Sequence, residues 1–101
     1  METIEFRYDT QLLLDVYGLD EDGADDLVDQ IRDYITDSFS GDSLLVAGDT
    51  GEDDIGGEKG IIKLHYHTNE PWLVLEYCRT LGEIYDIVVE DMQRQTCGLQ
   101  G

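Results

Sequence analysis

Apolar and polar residues alternate along the first regular segment of the chain, between residues 8 and 17. Leu12 and Leu14 fall on one side of this alternation, and Asp9 and Asp15 fall on the other. Because successive side chains of a strand point to opposite faces, the pattern predicts a strand with one buried face. Shorter apolar segments predict three further strands, over residues 43–47, 61–67 and 84–90.

The first predicted helix covers residues 24–39, where apolar residues recur every three or four positions. Its predicted buried stripe consists of Leu27, Val28, Ile31, Tyr34 and Ile35. Asp22 is the predicted N-cap, and Gly41 is predicted to end the helix. The later segment 49–60 is rich in glycine and acidic residues, which predicts a long, mobile hairpin loop.

A second helix is predicted between the third and fourth strands, ending at Gly82. Thr68 or Asn69 is the expected N-cap, and Pro71 is tolerated in the first turn because its missing N–H would be unpaired there anyway. The predicted buried stripe of this helix consists of Trp72, Leu75, Cys78 and Leu81.

The predicted order of elements is β-α-β-β-α-β. Right-handed crossovers turn this order into an α+β, ferredoxin-like split sandwich, in which two helices cover one face of a four-stranded antiparallel sheet. We expect a single domain over residues 1–92 and a polar tail or linker over residues 93–101. The sheet face away from the helices must be polar, be covered by a partner, or carry a functional site.

Both histidines of the chain, His65 and His67, lie two positions apart on the third predicted strand. Residues i and i+2 of a strand share a face, so the two imidazoles are expected side by side on the open face. In a ferredoxin-like sheet the first and third strands are antiparallel neighbours, which brings Asp9 close to His67. Two nitrogen ligands and one oxygen ligand suit Zn²⁺, with Mn²⁺, Fe²⁺ or Ni²⁺ as alternatives. The competing interpretation is an Asp–His pair on a polar face with no metal.

Composition narrows the classes of partner. The chain has 101 residues with 24 acidic and 6 basic side chains, and its formal net charge of −18 opposes nucleic-acid and anionic membrane binding. No apolar run approaches the length of a membrane span, and the N-terminal residues do not resemble a signal peptide. Cys78 and Cys97 do not form a disulfide framework, so a reduced, cytoplasmic protein is expected. Cys97 is interpreted as a spare thiol, with a role as a fourth metal ligand as the alternative.

Several segments resemble the middle domain of bacterial fatty acid kinase, the dihydroxyacetone-kinase-like protein that works with DegV-like fatty-acid-binding proteins. The longest runs from residue 62 to residue 77 and reads Ile-Lys-Leu-His-Tyr-His-Thr-Asn-Glu-Pro-Trp-Leu-Val-Leu-Glu-Tyr. The others are Tyr-Asp-Thr-Gln-Leu-Leu-Leu at 8–14, Gly-Asp-Ser-Leu-Leu-Val at 41–46, Leu-Gly-Glu-Ile-Tyr-Asp-Ile at 81–87 and Glu-Asp-Met-Gln-Arg-Gln at 90–95. Together they cover nearly the whole chain in the same order.

The resemblance implies a metal-binding linker and interaction domain between a nucleotide-binding kinase domain and a domain that binds the fatty-acid-binding protein. It implies metal ligands at His65 and His67, together with a cysteine early in the first strand. Asp9 occupies that cysteine position here, and a carboxylate is a harder ligand than a thiolate. Neither flanking domain fits within 101 residues, so we expect no kinase activity from this segment itself.

The sequence therefore predicts a non-catalytic, metal-binding module that mediates protein association. The open sheet face would serve either homodimerisation or docking of a partner domain. An alternative from another class is a small metal-dependent hydrolase that activates water at Asp9, His65 and His67. A further interpretation is a ligand-sensing domain, which rests on the fold alone.

Overall fold

The computed structural model describes residues 5–92. Within them six elements follow one another in the predicted order. They are β1 (Tyr8–Tyr17), α1 (Glu21–Ser38), β2 (Gly41–Glu52), β3 (Glu58–Thr68), α2 (Pro71–Leu81) and β4 (Glu83–Asp91). The predicted tail at 93–101, including Cys97, lies outside the described residues.

The four strands form one antiparallel sheet in the order β2-β3-β1-β4. This order places β1 and β3 at the centre of the sheet. Each helix connects two strands that are consecutive in the chain but not adjacent in the sheet. The predicted ferredoxin-like split βαβ arrangement is therefore confirmed. Neither α1 nor α2 has the length and apolar character needed to cross a lipid bilayer.

The core lies between the helices and one face of the sheet. Alternate residues of the central strands are buried there, and they pack against one stripe of each helix. The buried apolar residues are Leu12, Leu14, Val28, Ile31, Ile35, Val46, Ile62, Leu64, Tyr66, Val74 and Cys78. The strand alternation thus assigns the core face correctly, and it leaves Asp9, His65 and His67 on the opposite face.

The prediction of a long loop over residues 49–60 is wrong. Strand β2 continues to Glu52 and pairs there with Glu58, so the hairpin turn covers only residues 53–57. Asp53 closes this turn because its Oδ1 accepts hydrogen bonds from the backbone N–H groups of Ile55 and Gly57, at 3.0 and 2.7 Å. Gly56 adopts a left-handed conformation with φ of 80°.

Packing explains two of the glycines of this hairpin. A Cβ on Gly48 would lie 2.8 Å from Cγ2 of Val28, and a Cβ on Gly60 would lie 3.1 Å from Cδ1 of Leu19. Both glycines are on the core face, where α1 and the segment before it cross the sheet closely. Packing against α1 and the segment before it thus accounts for these two glycines, whereas Gly56 serves the turn.

The helix ends also differ from the prediction. Helix α1 begins one turn earlier than expected, and Asp20, not Asp22, is its N-cap, with Oδ1 accepting the N–H of Gly23 at 2.8 Å. The N-cap of α2 is Glu70, which makes no capping hydrogen bond through its side chain. Asn69 instead accepts the backbone N–H of Arg7 at 2.8 Å.

Three further predictions concern the two helices. Gly41 does not end α1, because Phe39 is the C-cap and Gly41 is the first residue of β2. Gly82 does end α2, as predicted. Trp72 is 57% exposed, so its predicted place in the buried stripe of α2 is wrong; Pro71 and Val74 are buried there together with Cys78.

Candidate metal centre

The two central strands bring Asp9, His65 and His67 together on the open face of the sheet. In the antiparallel register of β1 and β3, Asp9 lies directly opposite His67, and Gln11 lies opposite His65. All four side chains belong to the face that the helices do not cover. The register therefore produces the cluster that alternation and topology predict, and the three candidate ligands are all partly buried.

The ligand atoms of this cluster form a compact triangle. Nε2 of His65 and Nε2 of His67 are 3.0 Å apart, and they lie 3.4 Å and 3.9 Å from Oδ1 of Asp9. The point equidistant from three atoms with these separations lies about 2.0 Å from each of them, which is the bond length of Zn²⁺ to imidazole nitrogen or carboxylate oxygen. The residues present therefore fit a single small divalent cation.

The carboxylate of Asp9 has one oxygen that the protein does not satisfy. Oδ1 is buried and accepts no hydrogen bond from any residue between 5 and 92, while Oδ2 accepts one from Nε2 of Gln11 at 3.3 Å. A buried acceptor without a partner costs about 1–3 kcal/mol. A cation in the triangle would provide the missing interaction.

Asp15, a buried carboxylate on the same face of β1, differs from Asp9 in that the protein provides hydrogen-bond donors for both of its oxygens. Asp15 accepts hydrogen bonds from Nζ of Lys59 at 2.9 Å and from the hydroxyl of Tyr85 at 2.8 Å. The hydrogen bond to Asp15 raises the pKa of Lys59. The pKa of Tyr85 is also raised, mainly by burial and secondly by its own hydrogen bond to Asp15. Asp15 thus has a protein cation beside it, whereas the unsatisfied oxygen of Asp9 faces two imidazoles.

Asp42 is a residue of this site that the sequence analysis did not identify. It lies opposite His67 in the register of β2 and β3, and its Oδ1 is 3.3 Å from Nδ1 of His67. This contact is on the edge of the imidazole ring opposite the atom that faces Asp9. A carboxylate behind a metal-binding histidine is a common outer partner in zinc sites. Only the pairing of β2 with β3, which alternation alone does not specify, could have revealed it.

Cys78, the cysteine within residues 5–92, is not part of this cluster. Cys78 is buried in the core, on the other side of the sheet, and burial raises the pKa of its thiol to about 12. A thiol in that environment is neither a metal ligand nor a nucleophile at neutral pH. Cys97 lies outside the described residues, so its predicted role is not tested.

Comparison with known proteins identifies the family of this chain. The family of FakA-like middle domains, which takes its description from fatty acid kinase, matches residues 5–98. Uncharacterized protein SH1689 of Staphylococcus haemolyticus (strain JCSC1435) is 34% identical over 95 residues. That alignment covers 93% of this chain and 14% of the relative, so the chain spans about a seventh of the relative's length. The resemblance noted in the sequence is thus confirmed, and the chain belongs to the family of fatty acid kinase-like middle domains.

Proposed function

We propose that this chain is a non-catalytic module that binds one Zn²⁺ ion through Asp9, His65 and His67 and mediates protein association in a fatty acid kinase. The observation that carries the metal proposal is the triangle of ligand atoms, whose three separations match one ion at zinc bond length. Membership of the family supports the fatty acid kinase context.

The bound ion would join the two central strands. Asp9 comes from β1 and both histidines come from β3, so the metal would fasten these strands together at one end of the sheet. Its binding free energy would then contribute to folding, as in other structural zinc sites. Because the third ligand is a carboxylate oxygen, Mn²⁺, Fe²⁺ or Ni²⁺ would compete better than at a thiolate site.

Three protein ligands leave a coordination position for water or for a side chain from a partner. We propose that the partners are a kinase domain and a DegV-like fatty-acid-binding protein, and that the open sheet face is where a partner domain or a second copy docks. The share of the relative that this chain covers, 14%, supports a module within a larger protein. A cytoplasmic location is part of the same proposal.

Hydrolysis at the same site is less well supported. A hydrolase needs a general base beside the metal-bound water. Asp42 contacts Nδ1 of His67 on the far edge of that ring, and a further carboxylate, Glu90, lies opposite Asp9 in the register of β1 and β4. The position of Asp42 suits an outer partner of a ligand better than a base.

Metal analysis of purified, tag-free protein tests the proposal. After loading with zinc and gel filtration, we expect a single zinc ion per chain in the parent protein and none in the double variant His65→Ala/His67→Ala. Lys63→Ala is the matched control, because Lys63 is an exposed residue on the same strand and the same face. Zinc retained by the double variant, or absent from the parent, would refute the site.

A further inference from the structure

One histidine of the proposed site, His67, has an outer contact from β2. We propose that Asp42 is a positioning residue, whose carboxylate accepts the Nδ1–H of His67 and thereby presents Nε2 of that ring to the metal. This inference rests on the proposed zinc site, and it assigns to Asp42 a role separate from that of the three ligands.

The contact with Asp42 matters because it affects which nitrogen of the His67 ring carries the proton. A neutral imidazole carries its proton on one nitrogen and a lone pair on the other, and a metal requires the lone pair. Oδ1 of Asp42 is 3.3 Å from Nδ1 of His67, while Nε2 of the same ring faces His65 and Asp9. A carboxylate only accepts hydrogen bonds, so it favours the tautomer with the proton on Nδ1. Nε2 is then the basic atom.

The local backbone is arranged to place Asp42 at this position. Between the pairs formed by Asp42 with His67 and by Leu45 with His65, β2 contains one more residue than β3, which is a β-bulge. Ser43 in this bulge has a positive φ of 56°, a conformation that costs free energy for a residue other than glycine.

Gly41, on the other side of Asp42, permits the close approach of the two strands. A Cβ at this position would overlap the backbone oxygen of His67 and the ring of Tyr66. Asp42 is therefore held between a residue that must be glycine and a residue in a strained conformation. The close strand approach at Gly41 and the bulge at Ser43 together place Asp42 opposite His67.

Zinc affinity measured by competition with a chromophoric chelator tests the proposal. We expect Asp42→Ala to bind Zn²⁺ about 10- to 100-fold more weakly than the parent, the usual cost of losing an outer carboxylate. Asp42→Asn retains an acceptor oxygen and should lose less affinity than Asp42→Ala. Asp49→Asn removes the same charge from an exposed position on β2 and should change affinity by no more than about twofold. Equal affinities of Asp42→Ala and Asp49→Asn would overturn the proposal.

A second readout separates this inference from the zinc site itself. The ¹⁵N chemical shifts of the imidazole ring report which nitrogen carries the proton. In both the metal-free and the zinc-loaded parent we expect His67 to be protonated on Nδ1. Asp42→Ala should lose this preference in the metal-free protein. If the parent binds no zinc but His67 is protonated on Nδ1 only when Asp42 is present, the zinc site fails, and what survives of the inference is that Asp42 sets the tautomer of His67. If His67 of the metal-free parent is protonated on Nε2, the positioning role is refuted.

Discussion

Replacing Asp9 by Asn should have opposite consequences for the metal-free and the metal-bound protein. The carboxylate of Asp9 has a buried oxygen that accepts no hydrogen bond within residues 5–92, and such a group costs about 1–3 kcal/mol. Asn has the same shape, carries no charge and offers an N–H group to the facing histidines. We therefore expect Asp9→Asn to leave the metal-free protein as stable as the parent or more stable.

With zinc present the order of stability should reverse. A ligand at 100 times its dissociation constant stabilises a protein by about 2.7 kcal/mol. For a domain of this size that corresponds to a rise in melting temperature of about 10–20 °C. Asp9→Asn replaces an anionic ligand by a neutral amide, so most of this rise should disappear. Thermal unfolding followed by circular dichroism, with zinc and with a chelator, measures both effects.

Asp15 provides the matched control for this experiment. It lies on the same strand and the same face as Asp9, but it accepts hydrogen bonds from Lys59 and Tyr85. Asp15→Asn should therefore destabilise the protein by about 1–3 kcal/mol with or without zinc, because it removes the carboxylate partner of Lys59. The reasoning is refuted if Asp9→Asn destabilises the metal-free protein as Asp15→Asn does, or if it retains the full zinc-dependent rise.

Other predictions follow from the same contacts. Asp9→Cys should bind zinc more tightly than the parent, since thiolate is the softer ligand, and unchanged affinity would remove Asp9 from the ligand set. Lys59 has a pKa raised above 10.5 by its bond to Asp15, so its stabilising contribution should be complete below that pH and be lost as the pH rises through the raised value. Urea unfolding of parent and Lys59→Met at neutral and high pH measures this loss, and a stability difference that persists at high pH would contradict it. Gly48→Ala should cost about 1–3 kcal/mol in urea unfolding, because its Cβ would lie 2.8 Å from Cγ2 of Val28, and a neutral effect would contradict the packing argument.

The part of the site that the sequence predicts depends on alternation within single strands. Leu12, Leu14 and Leu64 point to the core, and this alone assigns Asp9, His65 and His67 to the other face. Topology then supplies the pairing of β1 with β3. Both steps rely on strongly patterned central strands, in which a shift of one residue would expose the entire apolar face.

The features that the sequence did not reveal depend on contacts between elements. Gly60 falls within the segment predicted as a loop because glycine is common in loops, yet it lies on the core face close to Leu19 and Ala24. The contact of Asp42 with His67 depends on a bulge in β2, and no periodic pattern encodes that bulge. Trp72 has the helical spacing of a core residue, but Pro71 and Val74 occupy the buried positions beside it.

X-ray absorption spectroscopy at the zinc edge of the zinc-loaded protein tests the central claim most directly, because it reports the ligand atoms of the bound ion. The proposed site predicts two imidazoles and additional oxygen ligands, with a first shell at about 2.0–2.1 Å. The imidazole signature should disappear in His65→Ala/His67→Ala and persist in Lys63→Ala. A first shell made only of sulfur at about 2.3 Å, or a spectrum without imidazole, would contradict the assignment of Asp9, His65 and His67 as the metal ligands.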